Sequence, residues 1–352
     1  MAHGLFDIQL RLLKIDQNGD PLVDINRLVN WELFRKDLED ARDRERGYVK
    51  TSDVGRPPLD VIILFKMLVI QSLHNLSDEA LEKQCLDRLT FMRFLGIDLN
   101  DDVPDAKSIW NFKEMLKRDD LVKTLFLRFD SFLRENGFEA KKGQIVDATI
   151  VQTRIRRDSR EINKQVKEGD GENVKEWSDH TRCQKDIDAR WTKKRNKSYF
   201  GYKDHESVDV KHKIIREYHI TSASVHDSQV YEELITPNEQ PEEYADSAYR
   251  SEDRIANRIL AEKIPHFQEK GTRGHPLTAE QHIANRLRSK VRSRVEHVFG
   301  AKVQRAGNLI IRTIGIARAR VKLGLRNLAY NLERFTILKK REKGANQLKL
   351  AS

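Results

Sequence analysis

Apolar residues fall at helical spacing through most of residues 26–137 and give way to short β-branched and alternating runs after residue 143. Leu59–Leu73 is apolar over most of its surface, which predicts a buried helix. Ser77 has the chemistry of an N-cap, and Asp78 and Glu79 suit the positive end of the helix it would start, Asp78–Leu89. Pro104-Asp105 opens another helix, Ala106–Lys117, with Lys107, Asn111 and Lys113 on its polar side. Helices of this size joined by short turns suit a DNA-reading helix-turn-helix unit or a plain bundle with a charged face, and the pattern alone does not choose. Asp16–Asp20 has the outline of a calcium loop, but Pro21 and Arg27 stand where that loop needs glycine and glutamate, so it reads as a turn.

The strand pattern begins with QIVDATIVQT, Gln144–Thr153, the strongest short run of β-branched residues in the chain. Tyr202–Val210 and Ile215–Ser222 alternate as adjoining strands, Glu243–Tyr249 and Pro265–Gln268 follow, and helices are expected at Ser228–Ile235 and Ser251–Lys263. Strand, strand, strand, helix, strand, helix is the order of a ribonuclease-H-like α/β core, a mixed sheet flanked by helices. In SKVRSRVEHVFGAKV, residues Val291, Val295, Val298 and Phe299 make one helical face. Lys302–Glu342 reads as basic helices closing the core, followed by a loose tail. The expected organisation is a helical N-terminal DNA-binding or dimerisation domain (1–137), a catalytic core (138–300) with a basic loop at 154–203, and a basic helical C-terminal segment (301–352).

Charge narrows the function. The 352 residues carry 65 Lys and Arg against 55 Asp and Glu, with a pI near 9.4. That balance suits a polyanion, nucleic acid before membrane, because no basic amphipathic segment with a bulky aromatic face is present. Val61–Ile70, the longest apolar run, is interrupted by Lys66 and too short to span a bilayer. The N-terminus has no signal-peptide pattern, and Cys85 and Cys183 show neither disulfide nor zinc spacing, so a soluble cytoplasmic protein is expected. Within 154–203, Trp177, Trp191, Tyr199 and Phe200 are interleaved with Arg190, Lys193, Lys194, Arg195 and Lys197, the composition of a loop that folds against nucleic acid.

Three acids stand in apolar surroundings: Asp147 on the first strand, Asp246 at the end of EYADSAY, and Glu296 in the valine-faced helix. A carboxylate buried in a sheet costs several kcal/mol unless it is paired, hydrogen-bonded or holding a metal. Asp147 alone could cap a turn or meet an arginine. Three acids in a basic chain suit two-metal phosphodiester chemistry, in which two Mg²⁺ ions about 3.5–4 Å apart activate the attacking oxygen and stabilise the leaving one. Glycoside hydrolysis, the competing carboxylate chemistry, fits neither the charge nor the shortage of aromatics.

The segments VDATIV, YADSAYRS and RSRVEHVFG resemble the three acidic motifs of DDE transposases from bacterial insertion sequences, of the IS-five type within the wider IS-four group. SLHNLSDEALE, VPDAKSIWNFKEML, GYKDHESVDV and LGLRNLAYNLERF extend the likeness over about residues 25 to 335. The resemblance implies a ribonuclease-H-like core that binds the terminal inverted repeats of its element in double-stranded DNA. It also implies cutting there to expose 3′ hydroxyls and joining these to target DNA. Carried over, Asp147, Asp246 and Glu296 bind two Mg²⁺ ions, with Mn²⁺ as a substitute, and Arg292, four residues before Glu296, contacts phosphate. Part of the wider group has a tyrosine seven before the glutamate and a lysine seven after; here Ser289 and Val303 stand there, with Lys302 one residue early as the candidate DNA contact.

Lys203 and His205, beside the basic loop, are placed to face the scissile strand, although His205 is as well suited to a structural hydrogen bond. His297 is expected to pack, since consecutive helix residues point in different directions. The expected partners are DNA and a second copy of the chain, because pairing two ends needs at least two active sites. The alternatives are a silent transposase-derived DNA-binding protein and a ribonuclease-H-like nuclease without strand transfer.

Overall fold

A computed structural model describes residues 6–46, 58–154, 158–169, 171–194, 196–236 and 240–350. The chain divides into two compact units, residues 1–129 with 325–352, and residues 130–324.

The first unit is helical. Its centre is the helix Val61–His74, in which ten residues are buried, as an all-round apolar sequence requires. Asp60 caps its start by accepting from Ile62 N–H, and Asn75 ends it in the left-handed conformation. The one cation in this apolar run, Lys66, is buried with its ammonium 5.3 Å from the Trp31 ring centroid and 5.6 Å from that of Phe94. Burial lowers its pKa, and the aromatic faces offset part of that cost. Ser77 caps Asp78–Asp87, and Asp105 caps Ala106–Lys117, each through the expected side-chain acceptor. The calcium-like segment is the end of one helix, Asp7–Asn18, and the cap of the next, Pro21–Leu28, where Asp20 accepts from Leu22 N–H.

The second unit is a mixed sheet with helices on it. Strand β1 (Gln144–Thr153) lies at the middle. It pairs antiparallel with β3 (Lys197–Asp209), which pairs antiparallel with β2 (Arg190–Lys194) near one end and β4 (Ile215–Ser222) near the other. On its opposite side β1 runs parallel to β5 (Glu242–Ala245), and β5 parallel to β6 (Ile264–Phe267). This is the ribonuclease-H-like arrangement expected from the element order. Where β3 crosses β1, a side chain at Gly201 would bring its Cβ to 2.2 Å from Val151 O, so only glycine fits.

Three parts of the second unit differ from the sequence expectation. The stretch Arg190–Lys203, expected as a loop, is a hairpin: β2 pairs with Lys197–Gly201, and Trp191 packs on its cross-strand partner Phe200 with ring centroids 5.2 Å apart. Asn196 takes the left-handed turn position (φ 62°) that asparagine tolerates. The valine-faced helix starts far earlier than its apolar face, running over Ala279–Ala306 from a capping box made by Thr278 and Gln281. Ile310–Ile311, expected in a helix, is a short strand β7 parallel to the end of β1. A last helix, Ile316–Leu350, follows.

Alternation along β1 gives it two faces. Val146 belongs to a core cluster with Tyr231, Leu234, Ala245, Tyr249 and Phe267. Asp147 turns to the opposite face, where the long helix Ala279–Ala306 packs on β1 and β5.

Candidate active site

The parallel register pairs Ile145 with Tyr244. Two residues further along each chain stand Asp147 and Asp246, the latter just beyond the carboxyl end of β5, where ligands gather in open α/β sheets. Burial pushes the Asp147 carboxyl up, Arg292 opposes this, and the neighbouring charge of Asp246 raises it further. Asp147 Oδ2 accepts from Arg292 Nη2 at 2.8 Å, and Oδ1 accepts from Ala148 N–H at 2.8 Å. Arg292 also donates to Gln268 Oε1 at 2.6 Å. Asp246 Oδ1 accepts from Ala248 N–H at 2.7 Å, fixing its carboxylate at the turn.

Two residues not singled out from the sequence join this group. The Tyr249 hydroxyl is buried without a hydrogen-bond partner among the described residues. Its pKa is raised by burial and then by the charges of Asp227, Asp147 and Asp246. Asp227 accepts from Lys203 Nζ at 2.7 Å, and the same ammonium donates to Val225 O at 2.6 Å. The acid-aromatic pattern of YADSAY held the signal for Tyr249. Asp227 lies in a helical turn with no apolar strand around it, so nothing in its local sequence sets it apart.

Glu296 stands one turn beyond Arg292 on the long helix and is exposed. Among the described residues, no three His, Cys, Asp or Glu side chains come together closely enough to hold one metal ion. The structure thus brings Asp147 and Asp246 together with Arg292 between strand and helix, and leaves Glu296 outside that group. The donor chemistry fits a hard cation: two carboxylates share one buried neighbourhood, and Asp147 already takes a positive partner in the Arg292 guanidinium.

The other candidate residues are placed as follows. Lys302 is buried, its Nζ donating to Glu206 Oε1 and lying 3.4 Å from Asp204 Oδ2. Those two acids are on β3, and burial raises the Glu206 carboxyl well above its ordinary range. Arg190 donates to the carbonyls of Ile187, Ala189 and Val166, so it holds the base of the hairpin together. Lys193 and Lys194 are exposed on β2, and Arg195 lies outside the described residues. His297, expected to pack, is exposed, with Nδ1 2.6 Å from Lys213 Nζ.

His205 is fully buried on β3. Its Nε2 lies 2.9 Å from Thr221 Oγ1, whose hydroxyl donates to Ser222 O at 3.1 Å, so the ring is assigned as the Nε2–H tautomer. Nδ1 has no partner among the described residues, as a neutral imidazole allows. Burial lowers the His205 pKa to about 4. A depressed histidine pKa gives stability that is complete above the unfolded value near 6.5 and is lost as pH falls towards 4. Between a pKa near 6.5 and one of about 4, the loss by pH 4 is about 3 kcal/mol. Denaturant unfolding from pH 7 to pH 4 should show this decline, and His205→Gln should flatten it; an equally steep decline in the variant would remove His205 as its cause.

Residues 139–332 match the family described as transposase DDE domain, and residues 10–115 match transposase domain (DUF772). The chain belongs to the DDE transposase family. It also matches a cryo-EM structure of a piggyBac transposase synaptic complex with hairpin DNA, with a TM-score of 0.47 and 12% identity over 92% of this chain and 76% of that one. Among the described residues, no single helix is long and apolar enough to cross a membrane.

Proposed function

We propose that this protein is the transposase of a bacterial insertion sequence of the IS-five type. It binds the terminal inverted repeats of its element as a dimer on double-stranded DNA, exposes 3′ hydroxyls there and joins them to target DNA in the cytoplasm. The observation that carries this reading is the level placement of Asp147 on β1 and Asp246 just beyond the end of the neighbouring parallel strand β5, with Arg292 reaching Asp147 from the long helix. Asp147 and Asp246 would hold Mg²⁺, and Glu296, exposed on the long helix in the protein alone, would complete the ligands for two ions once DNA binding shifts that helix; Mn²⁺ would substitute. When bound, the ions supply activation of the attacking oxygen and charge neutralisation at the leaving oxygen.

The chain's own groups have the remaining tasks. Arg292 neutralises Asp147 in the protein alone, and its fork of donors suits a phosphate as well as a carboxylate, so it would contact the scissile strand when DNA enters. Lys203, held by Asp227 beside the acids, keeps positive charge near that strand. Lys193 and Lys194 would meet the backbone further out, where such contacts position DNA without reading its sequence.

The test is to incubate the purified full chain with duplexes ending in the element's repeats and with a target plasmid. Mg²⁺-dependent nicks with 3′ hydroxyls and joined products are expected. Nicks without joining would assign a nuclease, and binding without nicks a silent DNA-binding protein.

A further inference from the structure

Away from the acids, the second unit holds a cavity of about 550 Å³ behind the β2–β3 hairpin. It reaches Thr153, six residues along β1 from Asp147, roughly 20 Å at the rise of a strand. Its walls are fixed by internal bonds. Arg190 ties the helix Arg160–Lys167 to the hairpin base through Val166 O at 2.9 Å. Tyr202 donates to both oxygens of Asp186 at 2.8 Å. Ile316 N–H donates to Asp188 Oδ2 at 2.8 Å, anchoring the strap that carries Arg312.

The lining combines aromatic faces with positive charge. Trp177, Trp191 and Phe200 contribute rings, and Arg154 and Arg312 contribute guanidiniums that are exposed and form no ion pair with the described residues. Trp177 is only 6% exposed, and its indole N–H is buried with no acceptor among the described residues. Lys185, which lies 5.3 Å from the Trp177 ring centroid, is already paired with Asp158, so it adds no free charge.

From this lining we infer that the cavity is a binding site for one unstacked nucleotide, its base stacked on the aromatic lining at Trp191 and Phe200 and its phosphate on Arg154 and Arg312. A base offers both a π-face for stacking and ring acceptors, and guanidinium suits phosphate. A hydrophobic small molecule would use the rings but leave the arginines idle. The nucleotide comes either from DNA, as an extrahelical base, or from free solution. The DNA source rests on the function proposed above, whereas the free source does not.

The test uses the full chain, a duplex with one 2-aminopurine opposite an abasic site, the same duplex fully paired, and free dAMP. The first duplex should bind ~10-fold more tightly than the second, with its 2-aminopurine emission quenched by stacking. Trp191→Ala and Arg312→Ala, both at exposed positions, should abolish that preference. Equal binding of both duplexes by the unaltered chain without dAMP binding would overturn the site, as would a preference that survives Trp191→Ala and Arg312→Ala. If neither duplex binds, the DNA reading fails by itself. In that case dAMP binding that is lost in Trp191→Ala keeps the site as one for free nucleotides, and its absence overturns the site too.

Discussion

Asp147→Asn should reduce Mg²⁺-dependent cleavage of element-end DNA by at least about 10³-fold, equivalent to ~4 kcal/mol of lost transition-state stabilisation. Affinity for the same DNA should stay within about twofold, because the substitution removes no positive charge. The variant should also remain folded. Burial opposes the charge on Asp147, so neutralising it recovers desolvation energy, while the loss of the Arg292 ion pair acts in the other direction. Both side chains are largely buried, at 17% and 15% exposure, so each effect is real, and a net change within about 1–2 kcal/mol is expected. Cleavage at the unaltered rate would remove Asp147 from the chemistry; a collapse in thermal stability would show that its pairing with Arg292 is structural before it is catalytic.

The separation between what local sequence carried and what it did not follows from the range of the interactions. Val61–His74 was legible because an all-round apolar run has one stable destination, and the caps at Ser77 and Asp105 because a cap is decided within three residues. Strand β1 and its central acid stood out for the same reason: β-branched neighbours leave a carboxylate nowhere ordinary to be. The β2–β3 hairpin was hidden by its charge, since Lys193, Lys194 and Lys197 mask the alternation that Trp191 and Phe200 express only once paired. The first half of the long helix was hidden because Ile283 and Leu287 remain exposed at 62% and 58%, so no apolar face marks it; the capping box at Thr278 was the available signal. The partners of Lys302 lie 96 and 98 residues away, a distance over which pattern says nothing. What placed Arg292 beside Asp147 was the packing of the long helix on β1, across 145 residues of sequence.

The same long-range logic makes Arg216 the most consequential single side chain for stability in the second unit. Arg216 is fully buried on β4, and so is Asp209, which lies 3.4 Å from its guanidinium. Nη1 donates to Asp130 Oδ1 at 2.6 Å, and Nη2, the nitrogen nearest Asp209, donates to the Phe138 carbonyl. Asp209 also accepts from the backbone N–H groups of His212 and Ile214, closing the turn between β3 and β4. One planar cation thus reaches a helix, a loop and a hairpin turn through donors that no other side chain arranges in that fork. Arg216→Ala would leave buried Asp209 without its guanidinium and Asp130 with Arg134 alone, at a cost of about 3–5 kcal/mol, a large share of the stability of an ordinary domain. Arg216→Lys retains the charge but cannot reach all three partners, so it should lose less, about 1–3 kcal/mol. Urea unfolding of the full chain, followed by a probe in the second unit, measures both. If alanine and lysine cost the same, the guanidinium geometry rather than the charge holds this corner; if neither costs more than about 1 kcal/mol, the network sets the conformation of the β3–β4 turn without stabilising the fold.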